Sequence, residues 1–279
     1  MKPRDQFDNA KWLVTQANAE AYLFPQEYAD WVKMTEEERD TKLRLYCEFP
    51  LRFEDYSVVY TLYHRAQWLN AFGACGLPAG ATVLEVGSGS TPNIPKALSF
   101  RDKSATYITA NMNKELTQGL YRNTADLPVA IQAIEDDANH ILRHLAPESV
   151  DAVVFEHSVN DVLQAILGES MGLDTTNGDW FELLPQMIVF IKEAYRDGTL
   201  EAKLKAPFLS LLQNCFAVLK PGGCFLMSHY MFQYDLDLGY DPDLWQDIIP
   251  VVRPWLAELP GAEFTVDGFD PQWWLFYQK

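Results

Sequence analysis

The chain has 279 residues, enough for one large domain or two small ones around a sizeable core. Its formal charge of -17, from 39 Asp and Glu against 22 Lys and Arg, would repel a phosphate backbone, and no basic stripe interrupts it; nucleic acid is excluded as an expected partner. Cys47, Cys75, Cys215 and Cys224 form no C-x-x-C pair or zinc-type cluster, no run reaches membrane-span length, and the first residues lack the apolar core of a signal peptide. A soluble, cytoplasmic protein with no metal and no membrane contact is expected.

Residues 1–76 read as helical and aromatic-rich. Thr35 and Glu38 have the spacing of a capping box, which predicts a helix to about residue 46. A further helix is expected over 55–73, where Tyr56, Val59, Tyr60, Tyr63 and Gln67 share one face. That stripe fits core packing; the alternative is that Tyr60, Tyr63 or His64 lines a pocket.

From residue 81 onward, strands and helices alternate as a parallel α/β sheet demands. The apolar strand 82–86, which carries Glu85, runs into the turn Gly87-Ser88-Gly89-Ser90, and a helix begins near Thr91 or Pro92. Glycines there let the backbone bend tightly and approach a ligand, while the helix start offers free N–H groups. A dinucleotide-binding fingerprint would need a third glycine where Pro92 stands.

The second strand, 105–110, delivers Asn111, Met112 and Asn113, and the third, 129–134, ends at Glu135-Asp136-Asp137-Ala138. A fourth strand, 149–155, precedes Glu156, His157, Ser158 and Asp161. Residues 165–203 exceed the needs of a strand-helix-strand link; with a turn-rich stretch from Gly168 to Gly178 and a helix over 180–195, they read as an inserted cap. A helix over 205–219 then leads to Lys220-Pro221-Gly222-Gly223 and a fifth strand, followed by a helix over 243–258 and strands over 263–266 and 273–277.

The acid-preceded glycine turn, Asp137-Ala138, Ser149-x-Asp151-x-Val153-Val154 and Leu219-Lys220-Pro221-Gly222-Gly223 occur in an order that resembles the class I S-adenosylmethionine-dependent methyltransferases over residues 81–278. The resemblance implies a Rossmann-like, seven-stranded, mostly parallel sheet with helices on both faces. It also implies a helical lid over 1–76, a cofactor-binding domain over 77–279 and a cap over about 165–203. S-adenosylmethionine is the implied cofactor. Gly87, Ser88 and Gly89 would hug its methionine part, with Glu85, or Glu156 instead, near the amino group. Asn111, beside Met112, stands where the family usually has an acid gripping the ribose; an amide has one acceptor oxygen, so that grip should be weaker or differently arranged. Asp137 would accept from the adenine amino group while the Ala138 N–H meets the ring. Asp136 is the alternate, and helix capping is the plain role of either acid. Tyr60 would line the cofactor pocket from the lid, and Arg65 would pair with the cofactor carboxylate or simply be solvated.

Methyl transfer needs chiefly that acceptor and donor be held in line, with a base only where the acceptor must lose a proton first. His157 and His229 follow neighbouring strands, about 4.8 Å apart in such sheets, so both are expected to open onto one pocket, with Asp161 orienting His157; the plain role of each is local hydrogen bonding. Tyr63, Trp180, Tyr230, Phe232 and Tyr234 would wall a flat or cationic acceptor. The expected function is O- or N-methylation of a small molecule. The alternatives are a cyclisation or rearrangement on the same cofactor, or a non-catalytic homologue; a homodimer stays open. A valine at Gly87 is expected to occupy ligand space and leave the fold intact.

Overall fold

The computed structural model describes residues 7, 8 and 10–279. Its first part is helical: α1 (Gln16–Tyr22), α2 (Pro25–Trp31), α3 (Glu36–Tyr46) and α4 (Val58–Ala74). The capping box at the start of α3 forms as the spacing predicts, with Thr35 Oγ1 accepting from Glu38 N and the Glu38 carboxylate accepting from Thr35 N. α4 begins later than expected because Ser57 caps it, accepting from Val59 N at 3.2 Å.

Five parallel strands follow: β1 (Thr82–Val86), β2 (Thr106–Ala110), β3 (Ala130–Ile134), β4 (Val150–Glu156) and β5 (Leu219–Ser228). They alternate with α5 (Asn93–Arg101), α6 (Lys114–Thr124), a 3-10 turn at Ala138–Arg143, α7 (Val159–Ser170), α8 (Trp180–Arg196) and α9 (Leu200–Val218). The chain continues through α10 (Gln233–Asp237), α11 (Pro242–Gln246), α12 (Ile248–Leu256), β6 (Ala262–Phe264) and β7 (Trp274–Gln278). The seven strands lie in the order β3-β2-β1-β4-β5-β7-β6, with β7 antiparallel to β5 and to β6. This is a Rossmann-like, mostly parallel sheet, and the reversal of order at β1 and β4 opens a crevice beyond their carboxyl ends.

Parallel strands buried on both faces need apolar residues on both, and β1 and β4 supply them. Leu84, Val86, Val153 and Phe155 pack with α7, α8, α9 and α12. Val83, Tyr107 and Val154, on the opposite face, pack with Trp31, Leu43 and Trp68 of the N-terminal helices. Residues 165–203 hold α8, whose Met187, Ile188 and Ile191 join Leu163 and Leu167 of α7 in the first of these cores. The helix expected over 243–258 is divided into α11 and α12 at Asp247.

Candidate functional site

At the carboxyl ends of β1, β2 and β3 a cleft encloses about 770 Å3, open solvent at its mouth included, with Gly87, Gly89, Asn111, Met112, Asp137 and Ala138 along one side. Asp161, Ile166 and Trp180 of α7 and α8 line the other. Gly87 and Gly89 hold φ of 74° and 57°, the left-handed region where glycine carries no Cβ penalty. The turn is pinned from behind: Gly87 N donates to Ala110 O at 2.9 Å, Ser158 Oγ donates to Val86 O at 2.6 Å, and Thr109 Oγ1 donates to Ser88 Oγ at 2.9 Å. Ser88 is thus buried beneath the turn.

A Cβ on Gly87 would sit 3.1 Å from Ser158 Cβ, whereas one on Gly89 would find only Leu116 Cδ1, at 3.9 Å. The expectation that a side chain at Gly87 would fill ligand space is therefore corrected: it would meet protein first. Gly119 of α6, which the sequence reading missed, lets the turn approach the helix, since a Cβ there would lie 2.8 Å from Ser90 Cβ. A lone glycine inside a helical pattern was the available signal.

The amide of Asn111 gives its hydrogens to Gly89 O at 2.9 Å and Thr117 Oγ1 at 3.2 Å, which leaves Oδ1 as the group to accept from a ligand hydroxyl. Asp137 caps the 3-10 turn, accepting from Asn139 N at 2.8 Å, and its side chain also lines the cleft. Asp136 is engaged elsewhere, between His144 Nε2 at 2.7 Å and His140 Nδ1 at 2.9 Å, and these imidazoles hold its carboxyl well below the usual range.

Several residues assigned from sequence stand away from this cleft. Arg65 is enclosed by the N-terminal helices: its guanidinium pairs with Glu27 at 2.7 and 3.1 Å, donates to Tyr22 O, and lies near the rings of Phe24 and Phe100. This contradicts its assignment to a cofactor carboxylate, because the tight turn between α1 and α2 brings Glu27 to it first. Glu85 is fully buried and accepts from Tyr107 Oη at 2.5 Å; burial, reinforced by nearby Glu156, raises its pKa well above the ordinary value. It backs the turn from within the sheet and does not line the cleft.

Glu156 is the junction of this interior. Its Oε1 accepts from Asn93 Nδ2 at 2.8 Å, at the start of the helix after the glycine turn, and lies 2.9 Å from His64 Nε2 on α4. Tyr60, Tyr63 and Tyr230 line a second, inner hollow beside His64, apart from the cleft. Tyr60 therefore does not reach the cleft expected to hold the cofactor, whereas Trp180, expected against the acceptor, lines it. Tyr234 lines neither hollow and is 48% exposed.

The two histidines are neighbours, as the strand order requires, with ring centroids 4.8 Å apart and nearly parallel planes. His229 is fully buried between His157, Trp245 and Trp273, which overturns its expected opening onto a pocket. His157 holds a left-handed φ of 51°, accepts from Tyr230 N at Nδ1 (3.2 Å), and places Nε2 3.9 Å from Asp235 Oδ2. Burial lowers its pKa to about 4, and Asp235, held by burial, rises to about 6. Asp161 does not orient His157: Asn160 Nδ2 donates to it at 2.7 Å, and burial followed by Asp235 pushes its carboxyl up to about 8.

Among the described residues no group of three or more His, Cys, Asp or Glu could hold a metal, and no helix is long and apolar enough to cross a membrane. No protein-family model and no curated protein matches the chain. Solved structures do. A SAM-dependent methyltransferase from Aquifex aeolicus aligns with TM-score 0.47 and 13% identity over 75% of this chain and 86% of its own. A SAM-dependent O-methyltransferase from Thermotoga maritima aligns with TM-score 0.41 and 12% identity over 76% and 64%.

Proposed function

We propose that the chain is an S-adenosylmethionine-dependent methyltransferase of the class I type, acting on a small molecule at oxygen or nitrogen. The observation that carries this reading is the cleft itself: a glycine turn after β1, an acceptor at Asn111 after β2 and the Asp137-Ala138 pair after β3 stand around one hollow. The donor set fits the cofactor. Asn111 Oδ1 would accept from a ribose hydroxyl, Asp137 from the adenine amino group, and the Ala138 N–H would face the ring. Gly89 presents bare backbone to the ligand, and α5 starts without a side-chain cap. When bound, the cofactor supplies an activated methyl group; this chain holds, orients and desolvates the partners around it.

The charge of -17 supports a small-molecule acceptor over a nucleic acid, and the free cysteines support a reducing, cytoplasmic setting. Calorimetric titration with S-adenosylmethionine and S-adenosylhomocysteine tests the reading, followed by mass measurement of candidate acceptors for one added methyl. Saturable binding of both, weakened by Asp137→Ala, is expected. Absence of binding to either would overturn it.

A further inference from the structure

α4 is capped at its end by Cys75, after which Gly76, with a left-handed φ of 60°, turns the chain away and Leu77 N donates back to Phe72 O at 3.1 Å. The last carbonyls of a helix have no partner within it, and Cys75 O finds one on the sheet, the thiol of Cys224 at 3.8 Å. Cys224 lies inside the sheet, where β5 pairs it with Ala152 of β4 on one side and Gln278 of β7 on the other. Two residues before Leu226, it points to the same face as Leu226, which packs under the N-terminal helices, and Cys75 packs against that same core. Two cysteines 149 positions apart in the sequence are thus held side by side by well-anchored backbone.

Their thiols also hydrogen-bond to each other. Donation from Cys75 lowers the pKa of Cys224, while the same bond, followed by burial, raises that of Cys75, so the pair loses its first proton from Cys224. Access follows the other residue. Cys224 is 1% exposed, whereas Cys75 is half-buried on a turn whose Gly73, Ala74 and Gly76 are exposed. Cys47 and Cys215 form no such pair: they are buried in the cores on opposite faces of the sheet, and burial pushes both thiols up to about 12.

We infer that Cys75 and Cys224 are an oxidation site, a dithiol that hydrogen peroxide closes into a disulfide clamping the end of α4 to β5. This inference is independent of the methyltransferase reading. The Cys224 thiolate attacks one peroxide oxygen; the O–O bond breaks, the sulfur becomes a sulfenic acid, and the departing hydroxide takes the Cys75 proton and leaves as water. The Cys75 thiolate then attacks the Cys224 sulfur. The S–O bond breaks, the S–S bond forms, and the second hydroxide leaves as water with the proton that Cys224 first released. The two thiols lose two electrons in all, and peroxide gains them. A bond that closes so long a stretch of chain restricts the unfolded state far more than the folded one.

The test treats the intact, folded chain with a small molar excess of hydrogen peroxide, then blocks and counts free thiols and maps the peptides by mass spectrometry. Free thiols should fall from four to two, with Cys75 and Cys224 joined in one peptide pair, and dithiothreitol should restore all four. The oxidised chain should melt about 5 to 10 °C above the reduced one. Cys75→Ser should form no disulfide under the same treatment and show no such rise. Four thiols surviving peroxide, a disulfide that joins other cysteines or two copies of the chain, or a cross-linked chain that melts with the reduced one would each overturn the proposal. Should Cys75→Ser not fold, the peptide map and melting of the wild-type chain decide.

Discussion

Gly87 and Gly89 lie two residues apart in one turn, yet alanine should fail differently at each. At Gly89, φ is 57° and the nearest atom to an added Cβ is 3.9 Å away, so the cost is that of a left-handed L-residue, about 1 to 2 kcal/mol. At Gly87, φ is 74° and the added Cβ would press Ser158 Cβ at 3.1 Å. Moving Ser158 also disturbs its 2.6 Å bond to Val86 O, which adds about 1 kcal/mol to the same backbone cost. At about 2 °C per kcal/mol for a chain of this size, calorimetric melting should fall by about 5 °C for Gly87→Ala and about 3 °C for Gly89→Ala.

Ligand binding should respond more directly at Gly89, because its methyl meets no protein atom nearer than Leu116 Cδ1 at 3.9 Å and takes up space in the cleft. Titration with S-adenosylhomocysteine should show Gly89→Ala weakened by about tenfold or more, or about 1.4 kcal/mol. A Gly89→Ala protein that binds as wild type, or that melts below Gly87→Ala, would refute the assignment of which glycine faces the ligand.

Arg65→Leu leaves Glu27 without its guanidinium and should cost about 3 kcal/mol in urea unfolding without weakening S-adenosylhomocysteine; weakened binding would return Arg65 to the cofactor. His157 is lowered from 6.5 to about 4, so the unfolded chain binds the extra proton between those values and this residue's contribution to stability, up to about 3 kcal/mol, is lost as pH falls through that window. His157→Asn, which tolerates the left-handed backbone, should lose that contribution, read as the wild-type minus variant difference in unfolding free energy from pH 7 to pH 4; a pH-independent difference would count against a part-buried neutral imidazole. Asp161, raised to about 8, has the opposite sign: the folded chain keeps its proton, and stability falls as pH rises from about 4 to about 8. Asp161→Asn should flatten that decline in the same measurement.

Much of the fold is legible because it is written in local patterns. The capping box at Thr35, the apolar strands and the glycine turn after β1 each depend on residues within a few positions of one another. The cleft's floor was legible for the same reason, since Asn111 and Asp137 follow directly from strand ends. Long-range pairing was less so. The stripe of Tyr60, Tyr63 and Gln67 says that these side chains share a face, but nothing local says that the face looks into the inner hollow and away from the cleft beyond β1, β2 and β3. Arg65 shares that helix, and its partner Glu27 lies 38 residues away. Strand order placed His157 beside His229 correctly, yet the left-handed backbone at His157 and the Asp235 that faces it emerge only in three dimensions.

The most direct test is a crystal structure of the chain with S-adenosylhomocysteine. Adenine should lie against Asp137 and Ala138, a ribose hydroxyl within hydrogen-bond reach of Asn111 Oδ1, and the ligand backbone over Gly89. A ligand bound elsewhere, or a cleft that stays empty at saturating concentration, would contradict the account.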